Sequence, residues 1–254
     1  MPSDPPTPGD APAHPREPRD PGQPRRPRGC LVTGTDTGVG KSVVAAAIVA
    51  RLRQQGRAVR AVKPLITGLD EEPDPDWPAD HELLARVSGQ TPAATILHGF
   101  GPPVSPHLAA ELAGTPLPSA TELTSEIRAG TPDGCLLIVE GVGGLLVPIG
   151  PVDSVRDLAS ALELPLIVVA RPGLGTINHT LLTIEAAAAA GLRVAGIVMT
   201  PWPERPDEML RSNRATIERI TQTAVAGLPF IPAAEPGQLA AAGASIPLKS
   251  WLGI

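Results

Sequence analysis

Residues 33–42 read T-G-T-D-T-G-V-G-K-S and directly follow the short apolar run Cys30-Leu31-Val32. Glycines at 34, 38 and 40 let the backbone turn its N–H groups inward, where they can cradle phosphate oxygens. Lys41 can reach β and γ oxygens, and the hydroxyl of Ser42 can meet Mg²⁺. The spacing departs from G-x4-G-K-[ST], because Thr35 stands where the first glycine belongs and Gly34 lies one position early. Asp36 adds an anion among the phosphates, to be offset by Mg²⁺, by Lys41 or by a cationic substrate group. The alternative for Asp36 is a turn cap.

Other chemistry-bearing residues also fall at the ends of apolar runs. Glu140, in E-G-V-G-G, is set either to meet a metal beside Ser42 or to order its own loop. Lys63, in V-K-P-L-I-T-G, offers a cation to a transferring phosphoryl group or a developing carboxylate, with Thr67 close behind. Asp80 is either a second metal-side carboxylate or a helix N-cap worth about 1 kcal/mol. Residues 171–179, R-P-G-L-G-T-I-N-H, lead into a helix whose first N–H groups either hold an anion or only begin the helix. His81, His98, His107 and His179 lack metal-ligand spacing, His107 in S-P-H being the best exception.

The elements that must position these residues alternate along the chain. After the first strand, the apolar stretch from Val43 to Val49 reads as a helix whose N-terminus faces the phosphates. Residues 57–65 read as a second strand, with Pro64 marking its exit. Residues 70–79, D-E-E-P-D-P-D-W-P-A, read as an acidic proline-broken loop before a helix over 81–88. Residues 135–139 and 164–170 are near-continuous apolar runs, as in parallel strands covered on both faces. Helices are expected over 119–129, 154–162 and 178–190, and a strand over 194–199. This order predicts an α/β fold with a mostly parallel sheet and helices on both faces. In such sheets ligands bind at the carboxyl ends of the strands, where Ser42, Lys63, Glu140 and Arg171 converge.

Composition narrows the function classes. The chain has 254 residues, 42% of them hydrophobic, enough for one large core. Ten of its 32 prolines fall in the first 28 residues, a segment with almost no large apolar side chain that is expected to be disordered. Residues 29–254 are then expected to form one domain. The net charge is −5, and Arg16, Arg19, Arg25, Arg26 and Arg28 are interleaved with Glu17, Asp20 and prolines. With three Trp, two Phe and no Tyr, this is no nucleic-acid surface. Cys30 and Cys135 lack metal or redox spacing and read as buried thiols in a reduced compartment. With no leader pattern and no apolar stretch of membrane-spanning length, a soluble cytoplasmic protein without nucleic-acid or membrane partners is expected.

Several ordered motifs together resemble the dethiobiotin synthetase family of deviant P-loop enzymes. They are T-G-T-D-T-G-V-G-K-S at 33–42, K-P-L-I-T-G at 63–68, S-P-H at 105–107, E-G-V-G-G-L-L-V-P at 140–148 and G-L-G-T-I-N-H at 173–179. The resemblance runs from about residue 30 to the end, and the unusual loop spacing is the family's own. It implies a P-loop NTPase-like fold and an ATP- and Mg²⁺-dependent cyclo-ligase acting on 7,8-diaminononanoate and CO₂ or bicarbonate. By resemblance, Gly34, Thr35, Asp36, Thr37, Gly38, Val39, Gly40, Lys41 and Ser42 surround the phosphates. Ser42, Asp80 and Glu140 lie on the metal side, and Lys41, Lys63 and Thr67 serve the carbamate and γ-phosphate. Gly143 and the helix start Gly175, Thr176, Ile177 and Asn178 meet the substrate, the latter across a twofold interface, which implies a homodimer. Thr200 and Glu235 fall near the nucleoside.

Three departures stand out. Gly38 replaces an acidic residue that many members carry in the loop. Thr200-Pro201-Trp202 replaces an Asn-led pair that reads adenine; a threonine lacks the planar amide, which leaves room for CTP or another nucleoside triphosphate. No Tyr is present to meet the substrate carboxylate, so backbone N–H groups or Asn178 would take that task. The rival readings are a cobyrinic-acid-synthase-like ligase, disfavoured by the lack of a nucleophilic Cys with a partnered His after Met199, and a switch-type ATPase acting on a protein partner, disfavoured by the lack of a lysine within 33–40.

Overall fold

The computed structural model describes residues 28–72 and 74–254. The proline-rich segment lies outside the described residues apart from Arg28, which opens the first strand. The described strands are β1 (Arg28–Gly34), β2 (Val59–Ile66), β3 (Ile96–Gly99), β4 (Leu136–Gly144), β5 (Leu166–Ala170), β6 (Val194–Trp202) and β7 (Val225–Pro229). They form one sheet in the order β3-β2-β4-β1-β5-β6-β7, every pair parallel. The described helices are α1 (Lys41–Gln54), α2 (Asp80–Ser88), α3 (Pro92–Thr95), α4 (Pro106–Ala113), α5 (Ala120–Ala129), α6 (Val155–Leu162), α7 (Thr176–Ala189), α8 (Glu208–Thr221), α9 (Pro236–Gly243) and α10 (Leu248–Leu252).

The two-residue period of a strand sends alternate side chains to opposite faces. Cys30 and Val32 of β1, Ile138 of β4 and Ile167 and Val169 of β5 join one core with α1, α2, α9 and α10. Leu31, Leu137, Val139, Leu166 and Val168 join another with α5, α6 and residues of α4 and α8. Both faces are therefore covered, which is why the central strands read as continuous apolar runs. From Val44 to Ala50 the whole of α1 is buried, because α9 packs on its outer side. A side chain on Gly243 would run into the backbone carbonyl of Ala47.

Several strand boundaries differ from expectation, β6 running on to Trp202 for one, and two of the differences fall at or beside candidate site residues. Pro64 lies inside β2 instead of ending it. The β2–β4 pairing ends at Val62 opposite Val139, so the missing N–H of proline breaks no bond to that neighbour. Glu140 does not follow its strand but lies within β4, opposite Val32 of β1. The strand continues because β1 still needs a partner as far as Gly34, opposite Gly144.

Candidate active site

The glycine-rich turn joins β1 to α1. Gly38 and Gly40 have φ of +68° and +94°, conformations that glycine adopts without steric cost. A Cβ on Gly40 would also stand 2.7 Å from the Thr200 methyl. The carboxylate of Asp36 accepts a hydrogen bond from the Thr37 N–H at 2.7 Å, in keeping with its turn role. Lys41 is buried, and its Nζ donates to the Asp36 carbonyl at 2.9 Å. Burial draws this ammonium below its usual pKa, with Glu140 opposing the shift.

Four side chains from separate elements meet beside the turn. Ser42 Oγ donates to Glu140 Oε1 at 2.7 Å, and Lys63 Nζ donates to the same oxygen at 2.7 Å. Lys63 also pairs with Asp80. Burial alone would lower the Lys63 pKa, but Glu140 and Asp80 outweigh it and hold the ammonium well above its usual range. Glu140 is 1% exposed, and burial pushes its carboxyl up despite Lys63. Asp80 is more open; burial favours its neutral form, yet Lys63 and Ser42 hold it below the usual carboxylate range. The cap of α2 is Ala79, so Asp80 is the helix's first residue and not its N-cap.

A cavity of about 700 Å³ opens over these groups, lined by Lys41, Ser42, Lys63, Thr67, Asp80 and Glu140. Thr37 and Gly143 reach it as well. The two lysines and two carboxylates balance each other in charge, so a triphosphate entering here needs a further cation. Glu140 Oε2 is buried without a hydrogen-bond partner, an acceptor suited to that cation. No set of three His, Cys, Asp or Glu side chains converges as a metal centre among the described residues. Mg²⁺ commonly takes only one or two carboxylates, with phosphates and waters completing its shell, and Ser42, Glu140 and Asp80 fit that pattern.

The AAA domain family matches residues 28–237. The ATP-dependent dethiobiotin synthetase BioD of Mycobacterium avium is 45% identical over 75% of this chain and 82% of its own length. That of Rhodococcus jostii is 40% identical over 87% and 93%, and that of Anaeromyxobacter dehalogenans 42% over 81% and 91%. The chain belongs to the dethiobiotin synthetase family. Among solved structures, apo McdA of Cyanthece aligns with 86% of this chain and 90% of its own at a TM-score of 0.48 and 12% identity.

The residues that carry the dethiobiotin synthetase resemblance are not all brought together. Beyond Gly38 and Gly40 lies a second cavity of about 440 Å³, lined by Val39, expected among the phosphate contacts, and by Thr200, expected near the nucleoside. Glu235 is not among its walls. It caps α9 and stands 3.8 Å from Arg86, largely exposed. Gly175, Thr176, Ile177 and Asn178 start α7 but line neither cavity. His107 lines a groove elsewhere with Glu111 and Leu117. Sequence reasoning missed Trp77, which lines both cavities, and Phe230, which lines the second. The available signal was a lone tryptophan in an acidic, proline-broken segment.

Proposed function

We propose that this chain is a dethiobiotin synthetase, using Mg²⁺ and ATP to carboxylate 7,8-diaminononanoate and close its ureido ring. One amine adds to CO₂ and loses a proton, giving a carbamate. A carbamate oxygen takes the γ-phosphoryl group from ATP, releasing ADP and forming a carbamic-phosphoric anhydride. The neighbouring amine attacks the carbamoyl carbon, expels phosphate and closes the ring. The reading is carried by one observation: Lys41, Lys63 and Ser42 face a single cavity while Glu140 Oε1 accepts from both Lys63 and Ser42.

The phosphoryl transfer brings an anionic carbamate against an anionic triphosphate, so charge neutralisation and placement dominate over proton transfer. Lys63, kept protonated by its two carboxylates, is available to the carbamate and the incoming phosphoryl group. Lys41 neutralises the β and γ oxygens, the turn from Gly34 to Gly40 directs its N–H groups at them, and Thr67 and Gly143 border the reacting atoms. Ser42, Asp80 and Glu140 would hold Mg²⁺, which supplies positive charge to the triphosphate.

On this reading the enzyme is a homodimer, the helix start from Gly175 to Asn178 receiving the carboxylate tail of substrate held by a second copy. In support, those residues line neither cavity, and Leu174 and Leu182 nearby are exposed at 88% and 55%, leaving apolar side chains that a second copy would cover. Residues 29–254 act as one catalytic domain in the cytoplasm, where two unpaired cysteines are at home. No described helix is long and apolar enough to cross a membrane.

The test is phosphate release with Mg²⁺, bicarbonate and 7,8-diaminononanoate, each omitted in turn, with ATP, CTP and GTP in parallel. Release that requires both bicarbonate and the diamine is expected. Release indifferent to them overturns the reading in favour of a switch-type NTPase. The CTP arm addresses Thr200, whose short side chain lacks an amide.

A further inference from the structure

The second cavity shares Gly38, Gly40, Val43 and Trp77 with the first. A nucleotide whose phosphates lie on the turn therefore has this cavity at its other end. The remaining walls are mostly apolar, with Pro201, Phe230 and Ile231 among them. The chain has only five aromatic side chains, three Trp and two Phe, and two of them, Trp77 and Phe230, face this space. Trp77 is half-buried and packs, like Val43, against the core on the α1 side of the sheet, so its indole is held in place from behind. Phe230 is 73% exposed, a large ring left open to solvent at the cavity wall. Among the described residues no Asn or Gln side chain lines the cavity, so its walls offer ring faces and not the planar amide that reads a base edge.

We propose that Trp77 is a positioning residue for the nucleoside end of the triphosphate, gripping it by face contact, with Phe230 as a second wall. The proposal rests on the reading of residues 33–42 as the triphosphate site. It assigns to the segment between β2 and α2 a share of nucleotide affinity that is separate from the phosphate contacts.

Inorganic tripolyphosphate separates the two contributions, since it carries phosphates and no nucleoside. With the full chain, Trp77→Ala is expected to raise the KM for ATP about tenfold, about 1.4 kcal/mol at 25 °C, with kcat little changed. Inhibition by tripolyphosphate should stay as in wild type, and Trp77→Phe should have a smaller effect. An unchanged KM overturns the proposal. So does a parallel weakening of tripolyphosphate, which would place the action of Trp77 on the phosphate turn. Intrinsic fluorescence gives a measurement independent of turnover: addition of Mg-ADP should change the emission of wild type and Trp202→Phe but not that of Trp77→Phe. The same change in Trp77→Phe rejects the grip. A protein that shows the Trp77-dependent signal but ignores the diamine defeats only the synthetase reading, whereas diamine-dependent turnover without the signal defeats only this proposal.

Discussion

Lys63 Nζ lies 2.7 Å from Glu140 Oε1, joining neighbouring strands β2 and β4, with both side chains buried. Breaking such a pair from one side leaves a charge in the interior, and the cost is about 3–5 kcal/mol. Lys63→Met should therefore destabilise the fold by roughly that range, discounted by whatever water reaches Glu140 through the cavity. Glu140→Gln should cost less, because Lys63 keeps Asp80. The double variant should recover most of the loss seen in Lys63→Met, and both proteins that lack Lys63 should lack turnover. Urea unfolding of the four proteins measures this, and strictly additive losses would show that the two side chains are not coupled.

Lys41 contrasts with Lys63, because its ammonium donates to a backbone carbonyl and forms no ion pair with another described residue. Its removal leaves no carboxylate stranded. Lys41→Ala should lower turnover by about a hundredfold or more, the scale of losing one donor to developing charge. The unfolding midpoint should be preserved. Turnover like that of wild type would reject the phosphate role of the turn.

Glu140 Oε2 has no hydrogen-bond partner, and its neighbour Oε1 already accepts from Ser42 and Lys63. Glu140→Gln keeps the shape but presents a neutral amide. The Mg²⁺ concentration needed for half-maximal turnover should rise by about tenfold or more, the scale of a lost charged contact to the metal side. Residual turnover with an unaltered Mg²⁺ response would remove Glu140 from the metal side.

The start of α6 carries a pH dependence. The Ser154 N–H donates to Asp157 Oδ2 at 2.8 Å. Burial favours the neutral acid, but the Ser154 hydroxyl and backbone outweigh it and hold the Asp157 carboxyl below its usual range. A carboxyl lowered by folding contributes stability above its unfolded pKa and loses it as pH falls through the folded value. Asp157→Asn should cost about 1 kcal/mol at neutral pH. The difference from wild type should vanish as pH drops below about 4. A constant difference down to acid pH would argue against the charged cap.

Cys30 is fully buried in β1, and burial pushes its thiol up to about 12. Cys135 is only partly covered. A disulfide reagent at pH 8 should label Cys135 alone in the native protein and Cys30 only on unfolding, because the thiolate is the reactive form. Two thiols reacting at equal rates in the native protein would contradict the packing of β1.

Local physics made much of this protein legible in its sequence. The turn at 33–42 declares itself because a phosphate cradle needs glycine at fixed offsets and Lys-Ser at its end. Its positive φ angles at Gly38 and Gly40 follow from that need. The order of apolar runs and helical patterns was sufficient for a parallel sheet covered on both faces, since burial on two sides removes the polar alternation of an exposed strand. Lys63, Thr67, Asp80 and Glu140 were legible as candidates because each falls near the end of an apolar run or the start of a helix.

What only the tertiary structure decided depends on partners distant in the chain. The Ser42–Glu140 hydrogen bond spans 98 residues, and no local spacing encodes it. Glu140 stays inside β4 because β1 pairs beyond it, and Pro64 stays inside β2 because the β4 pairing has already ended. Short β3 and β7 were not anticipated because runs of four and five residues carry too little periodicity to separate strand from loop. Glu235 turned to Arg86, and Trp77 turned from a polar-looking loop to the wall shared by two cavities. Residue type and spacing determine which chemistry this chain can do, whereas the pairing and packing of distant segments determine which side chains reach the same cavity, because only the closed fold sets distances between them.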